Sequence, residues 1–211
     1  TAEFDRVLTI LPRYSDAWYN KGNALNRLGR YGDANAAYDQ ALELNPDHAV
    51  AWNNKGSATE FGESEWFRTM NSNLQMDVII KGHKAIMDRY DPQKTKGMVV
   101  DEWGNWFNVE PGTNPGFLYQ QSTIRDAVTA AIHLNIFNQH ADRVKVANLA
   151  QMVNVLQSVI LTKDDKMVLT PTYHVFRMYR VHQEAKLLNT DLVCEDYEFQ
   201  GKKIPALSAS A

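Results

Sequence analysis

Two neighbouring acids, Asp101 and Glu102, end a short apolar run, Gly97-Met98-Val99-Val100, and are followed at once by Trp103. An apolar run of that length, entered soon after the helix-stopping Asp91-Pro92, reads as a buried strand. Side chains alternate along a strand, so if Asp101 faces covering helices, Glu102 faces the other way. A carboxylate held at the end of a strand can attack an electrophilic carbon or move a proton. The tripeptide alone fits a solvated loop acid better. The other titratable residues offer less. His133 and His140 lie seven apart, and His174 and His182 eight apart. The second pair is too far apart to share one metal easily, and with no carboxylate or thiolate beside them all four read as packing residues. Cys194 is the only cysteine, which excludes an internal disulfide and any cysteine-based zinc cluster. The glycine-rich phosphate-binding motifs are absent, so nucleotide binding has no support. No metal and no cofactor is expected.

The bulk composition sets the background. The chain has 211 residues, 44% hydrophobic and 22% charged, as a globular protein of one or two domains would. A net charge of −3 supplies no basic field for nucleic acid. No apolar stretch approaches the roughly 18 residues of a membrane span. Thr1 to Asp16 shows no basic segment followed by an apolar core, so no signal peptide is expected and the location expected is cytoplasmic.

The elements that would position the acids follow from periodicity. Ser64 to Tyr90 carries Trp66, Met70, Leu74 and Val78 at helical intervals and predicts a long helix. After the strand at 97–102 come a loop, Val109 to Gly116, and a second long helix, Phe117 to His140. A second strand is expected at Val144 to Ala147, ahead of Asn148, and a further helix over Thr172 to Lys186. Strand, helix and strand in that order predict an α/β fold, with residues 97–102 and 144–148 adjacent and parallel. Beyond Leu188 the pattern changes to short strands, Asp191 to Phe199 and Lys203 to Ala209.

The first 56 residues follow another rule. Phe4 and Tyr38, Pro12 and Pro46, Trp18 and Trp52, and Gly22 and Gly56 are each 34 apart. With Trp18, Gly22, Leu25, Tyr31, Ala34, Tyr38, Ala41 and Pro46 in one copy, this segment resembles a tetratricopeptide repeat. Gly22 and Ala34 are small where two helices must approach, and Gly29-Arg30 marks the turn between them. The pattern stops after Gly56. One full repeat with a helix on either side is expected, fewer than the three or so repeats that stand alone.

Three later segments carry a second resemblance: VVDEWGNWFNVEPGTNPGFLYQQSTIRDA (99–127), LNIFNQHADRVKVANLAQMVNVLQSVILT (134–162) and LTPTYHVFRMYRVHQEA (169–185). They are similar to consecutive parts of the family 51 glycoside hydrolases, the α-L-arabinofuranosidases. KGSATEF (55–61), HKAIMDRYDP (83–92) and the stretch from Cys194 onward fit the same family. The resemblance implies a mixed fold class: α-helical tetratricopeptide hairpins over 1–56, the last βα units of a (β/α)8 barrel over 57–188, and the start of a β-sandwich over 189–211. It implies that Glu102 is the nucleophile of a retaining hydrolase that removes terminal arabinofuranosyl residues from arabinan or arabinoxylan. It further implies that Trp106 flanks the sugar, that Gln151 hydrogen-bonds near the nucleophile and that Asn148 stands behind them. The family's acid/base lies on an earlier strand that has no counterpart here; Glu110 and Glu195 are candidates by residue type only. The partners implied are an arabinofuranoside-containing oligosaccharide, a peptide or protein at the repeat segment, and a further chain, such as a second copy, to supply missing strands. A tetratricopeptide binding module and a non-functional chimera are the alternative readings.

Overall fold

The computed structural model describes residues 2–45, 48, 51, 59, 61–110 and 112–211. Pro46, which ends the full copy of the repeat, and Trp52, Lys55 and Gly56 beyond it lie outside the described residues. The chain divides into two compact units, Thr1–Phe61 with Trp106–Gln121, and Gly62–Asn105 with Ser122–Ala211.

In the first unit, helices α1 (Ala2–Ile10), α2 (Ser15–Arg27) and α3 (Tyr31–Leu44) follow one another through short turns. The three-residue link between α2 and α3 folds them into a helical hairpin. Gly29, at φ 73°, provides the left-handed turn that an L side chain disfavours. Leu25, Ala34, Ala37 and Tyr38 form the buried seam. Tyr38 is fully buried, and its hydroxyl donates to Asn23 Oδ1 at 2.9 Å. Gly22 lies so close to that ring that a Cβ there would sit 2.3 Å from it. Alanine favours a helix over glycine by about 1 kcal/mol, but overpacking costs about 1–3 kcal/mol, and a fixed Tyr38 cannot yield. Gly22→Ala is therefore expected to destabilise this unit, seen as a lower urea midpoint for the loss of helical circular dichroism. An unchanged midpoint would mean that the ring moves freely.

The second unit opens with α4 (Glu63–Tyr90). Glu65 reaches back to accept from the Gly62 N–H at 3.1 Å, and Pro92 disfavours helical geometry at Asp91, where the helix stops. Strand β1 (Met98–Trp103) pairs in parallel with β2 (Val144–Leu149), and α5 (Ile124–Gln139) lies between them in sequence. The crossover helix starts later than the expected Phe117. Pro115–Phe117 forms only a short 3-10 turn, and Leu118 adopts a left-handed φ of 53° that no α-helix tolerates. Thr123 and Asp126 then cap α5: the Thr123 N–H donates to Asp126 Oδ2 at 2.8 Å, and Arg125 N donates to Thr123 Oγ1 at 3.3 Å.

Phe67, Met70 and Ile80 of α4, Ala130, Ile136 and Phe137 of α5, Trp103 and Val144 form the core against one face of the sheet. Each large side chain buried there contributes about 1.5–3 kcal/mol. The strand expected to be buried is covered on that face alone. Val99 is 54% exposed and Val146 is exposed on the other side, and among the described residues β1 and β2 pair only with each other.

The remaining elements are short. Strands β3 (Ile160–Lys163) and β4 (Lys166–Leu169) form an antiparallel hairpin that the apolar pattern does not announce. Helix α6 (Pro171–Tyr179), capped by Thr170, passes into a 3-10 turn (Arg180–His182) and stops well before Lys186. Gln183 to Lys186 are all exposed, so nothing packs to hold more helix. Strands β5 (Asp196–Phe199) and β6 (Lys202–Pro205) pair antiparallel, both shorter than expected. The stretch after β6 lies along α5 without forming a strand. Asn135 Nδ2 donates to Ser208 Oγ, Asn138 Nδ2 to Ser210 Oγ, and Gln139 Nε2 to Ala209 O, at 2.9–3.0 Å.

One fully buried cation joins the helix end to the sheet. Arg143 donates from Nε to Asp88 Oδ1 at 2.8 Å, and from Nη1 to Asp91 Oδ2 at 2.7 Å and Lys96 O at 2.9 Å. The Arg143 hydrogen bond holds the Asp91 carboxyl well below the usual range, helped by backbone N–H donors. Nearby, burial pushes Asp142 up, but hydrogen bonds from Lys84 and Lys94 outweigh it and bring its pKa to about 2. Both carboxylates are depressed on folding. Their stabilisation is full above the ordinary Asp value of about 3.9 and is lost as the pH falls through about 2 for Asp142. Urea midpoints should fall across that window. A Lys84→Met/Lys94→Met double variant should fall less steeply, and identical slopes would contradict the assignment.

Candidate active site

The end of β1 is irregular where the acids lie. Val100 pairs with Ala147 and Trp103 with Leu149, so two residues of β1 stand opposite one of β2. Val100, Trp103, Ala147 and Leu149 all pack toward the helices. Asp101 and Glu102 together oppose Asn148, and all three are exposed. This is a β-bulge. Simple alternation would turn one acid toward the helices; the bulge leaves both on the open face. Asp101 thus does not face the covering helices, and it accepts a hydrogen bond from Asn148 Nδ2 at 3.4 Å. Among the described residues the Glu102 carboxylate has no hydrogen-bond or ion-pair partner.

Behind the bulge the backbone is held tightly. The Trp103 ring stands edge-on to His133 and Phe137 and stacks on Phe176, with centroids 5.4, 5.3 and 6.0 Å away. Trp103 O accepts from Ala150 N at 3.0 Å, tying the ends of β1 and β2 together. Gly104 has φ 132°, and a Cβ there would lie 2.7 Å from Gln157 Oε1. That oxygen accepts from Asn105 N at 2.5 Å, while Gln157 Nε2 donates to Asp126 O at 2.8 Å. The Asn105 side chain donates to Asp126 Oδ1 at 3.0 Å and to Thr129 Oγ1 at 3.1 Å. Asn73 of α4 donates to the same Thr129 oxygen at 3.0 Å. Burial raises the Asp126 pKa against the lowering effect of its hydrogen bonds from Asn105 and Thr123.

Gln151 follows β2 closely. Its backbone N donates to Leu156 O at 2.7 Å and its side chain is exposed. Glu102, Asn148 and Gln151 thus belong to the second unit, at the ends of its two parallel strands. Trp106, 54% exposed, opens the segment assigned to the first unit. Glu110 lies in that segment too, where its Oε1 accepts from Gln121 N at 3.1 Å. Glu195 is exposed and precedes the β5–β6 hairpin, whose Tyr197 and Phe199 pack on Phe67 of α4. Burial lowers the His133 pKa to about 4, which keeps it neutral among aromatic rings. His140 Nε2 lies 2.8 Å from Asp77 Oδ1. Among the described residues no group of three His, Cys, Asp or Glu could hold a metal ion. Sequence reading missed Asn105, Asp126 and Gln157. The Thr123 to Asp126 spacing signals a cap and could have found Asp126; no local pattern points to Gln157.

The profile of the α-L-arabinofuranosidase C-terminal domain matches residues 101–209, beginning at the bulge. The chain belongs to that family. A tetratricopeptide repeat profile matches residues 15–48, over α2 and α3 of the first unit. The α-L-arabinofuranosidase C-terminal domain here is similar to part of an intracellular exo-α-L-arabinofuranosidase of Bacteroides ovatus. The two are 50% identical over 155 residues, 73% of this chain and 30% of the relative. An intracellular exo-α-(1→5)-L-arabinofuranosidase 1 of Bacillus subtilis is 28% identical over 138 residues, 60% of this chain and 28% of the relative. The chain thus spans less than a third of the length of these curated relatives. The crystal structure of the family 51 arabinofuranosidase of Xanthomonas axonopodis pv. citri superposes with a TM-score of 0.74 at 45% identity. That likeness covers 83% of this chain and 37% of that one. An α-L-arabinofuranosidase of Thermotoga maritima, at 20% identity and a TM-score of 0.55 over 88% of this chain and 43% of that one, shares the fold. Among the described residues no helix is long and apolar enough to cross a membrane.

Proposed function

We propose that the second unit is part of the catalytic domain of a retaining α-L-arabinofuranosidase and that Glu102 is its nucleophile. The observation that carries this reading is the bulge: it leaves an unpartnered carboxylate on the open face of a parallel pair, at the strand end. Barrel enzymes keep their catalytic groups at that end. In this reading β1, α5 and β2 belong to the last βα units of a (β/α)8 barrel, and β5–β6 opens a β-sandwich. The domain boundaries read as 1–56, 57–188 and 189–211. Trp106 flanks the sugar, Gln151 hydrogen-bonds to it, and the substrate is an oligosaccharide with terminal arabinofuranosyl residues. The setting is intracellular, as the names of the two curated relatives say of those proteins. Residues 1–56 serve protein contact, supported by the repeat match.

Retaining hydrolysis needs a second carboxyl about 5–5.5 Å from the nucleophile to protonate the leaving oxygen. Glu110 is engaged at a backbone N–H, and Glu195 borders a hairpin packed on α4. Both remain candidates by residue type alone, and in this reading the chain by itself lacks efficient general acid catalysis. The test is an aryl α-L-arabinofuranoside, whose phenolate leaves with little protonation. Very slow phenolate release at most is expected from the aryl substrate, with no arabinose from arabinan or arabinoxylan. Efficient turnover of polysaccharide would overturn the assignment of the missing acid; release that survives Glu102→Gln would overturn the nucleophile.

The open face bears on assembly as well. Exposed Val99 and Val146, with outer strand edges unpaired among the described residues, favour association through the sheet. Light scattering of this chain is expected to show self-association, and a stable monomer with a sharp melting transition would refute it.

A further inference from the structure

We infer that Gln157 is a positioning residue for the nucleophile, an inference that rests on the reading of Glu102 given above. The Glu102 carboxylate has no side-chain partner among the described residues, so its placement depends on the backbone that follows it. Trp103 is anchored in the core by three rings and through its carbonyl. The next two residues are set by Gln157, which is 1% exposed. Its Oε1 takes the Asn105 N–H and occupies the space that a side chain at Gly104 would need. Its Nε2 is fixed in turn by Asp126 O, in the first turn of α5. One amide therefore joins the segment after the nucleophile, the helix that crosses between the strands, and the loop after β2.

Both functions of the amide are used, so the orientation of its two ends is determined. Asn105 then turns its side chain into the buried Asp126–Thr129 pair. Asn73 of α4 closes the network from the other helix. No part of this network reaches the open face. It acts on Glu102 through the backbone, so it affects the geometry of attack more than the affinity for the sugar.

The test uses the full chain and a 2,4-dinitrophenyl 2-deoxy-2-fluoro-α-L-arabinofuranoside. Glu102 forms a bond to the anomeric carbon, the bond to the aryl oxygen breaks, and its electron pair leaves as dinitrophenolate. The fluorine slows hydrolysis of the resulting ester, so intact mass and peptide mapping read the labelled fraction and its site. Saturation kinetics give a maximal labelling rate and a half-saturating concentration. Gln157→Leu should lower the maximal rate by up to about 10²-fold, as a misplacement near 1 Å does, with little change in half-saturation. Loss of folded protein would instead lower the final labelled fraction, which is read separately. Gln157→Glu keeps the acceptor for Asn105 N–H, but it can donate to Asp126 O only when protonated. Burial raises the pKa of such a carboxyl, so its labelling rate should recover toward wild type as the pH is lowered, unlike that of Gln157→Leu. An unchanged maximal rate in Gln157→Leu, or a change confined to half-saturation, overturns the role of Gln157 and leaves Glu102 as nucleophile. A wild-type chain that is never labelled at Glu102 overturns the functional reading, and the role of Gln157 with it.

Discussion

Glu102→Gln is expected to leave no measurable transfer of an arabinofuranosyl group from an aryl donor, while the chain folds and melts as before. The side chain is exposed and unpartnered among the described residues. A near-isosteric change at such a surface position usually shifts stability by no more than about 0.5 kcal/mol. The chemistry responds very differently. The carboxylate oxygen must form an ester with the anomeric carbon, and an amide oxygen does not do so at a useful rate. An activated aryl leaving group already bypasses the roughly 10²–10⁴-fold that a general acid contributes. On the reading proposed above, what remains is attack by Glu102, and the substitution removes it. Phenolate release by absorbance and ester formation by intact mass are the two readouts. Asp101→Asn is the control, because Asp101 shares the open face but accepts a hydrogen bond from Asn148. If Asp101→Asn abolished transfer and Glu102→Gln did not, the two acids would have to exchange roles.

The largest effect on stability is expected at Arg143. Its guanidinium is 0% exposed and holds two carboxylates and two backbone carbonyls. Breaking a buried ion pair by removing one partner costs on the order of 3–5 kcal/mol. Asp88 and Asp91 keep some contact with water, which puts the loss from Arg143→Ala at the lower end, about 3 kcal/mol. That is a large share of the stability of a domain this size. Arg143→Lys retains the charge but not the forked set of donors, so it should rescue only part of the loss. Urea unfolding followed by tryptophan fluorescence measures both. Equal stability of wild type and Arg143→Ala would mean that the buried cation costs as much in desolvation as its partners return.

What the sequence made legible depended on periodicity and on chain breakers. The apolar helical spacing from Trp66 to Val78 and the stop at Asp91-Pro92 placed α4 within one residue of its observed start. The run Met98 to Val100 placed β1, and Val144 to Ala147 placed β2, because short apolar runs between helices have few alternatives. The start of α5 was missed because Phe117 to Tyr119 looks helical by composition, whereas the Thr123–Asp126 cap decides where the helix begins. The bulge was invisible because it depends on which partner residue each strand residue meets, and β2 lies far downstream. Gln157 was invisible for the same reason: nothing in its neighbours shows that its amide will meet the backbone after Glu102. Glu102 was singled out by resemblance, and its side of the sheet is visible only in the structure.

The parallel pairing of β1 and β2 also bears on how this unit forms. Parallel strands cannot be joined by a tight turn, and Met98 meets Val144 only after the whole of α5 has been passed. Loop closure must be paid before that contact gives anything back. The capped helix α5 can form early, since Thr123 and Asp126 are close in sequence, and it then draws the two strands together. Until they meet, the core-facing Val100 and Val144 stay uncovered, and the open ladder can pair with another chain. The same parallel pair that carries Glu102 is therefore expected to slow the folding of this unit and expose it to aggregation. Its yield on refolding should fall as the protein concentration rises.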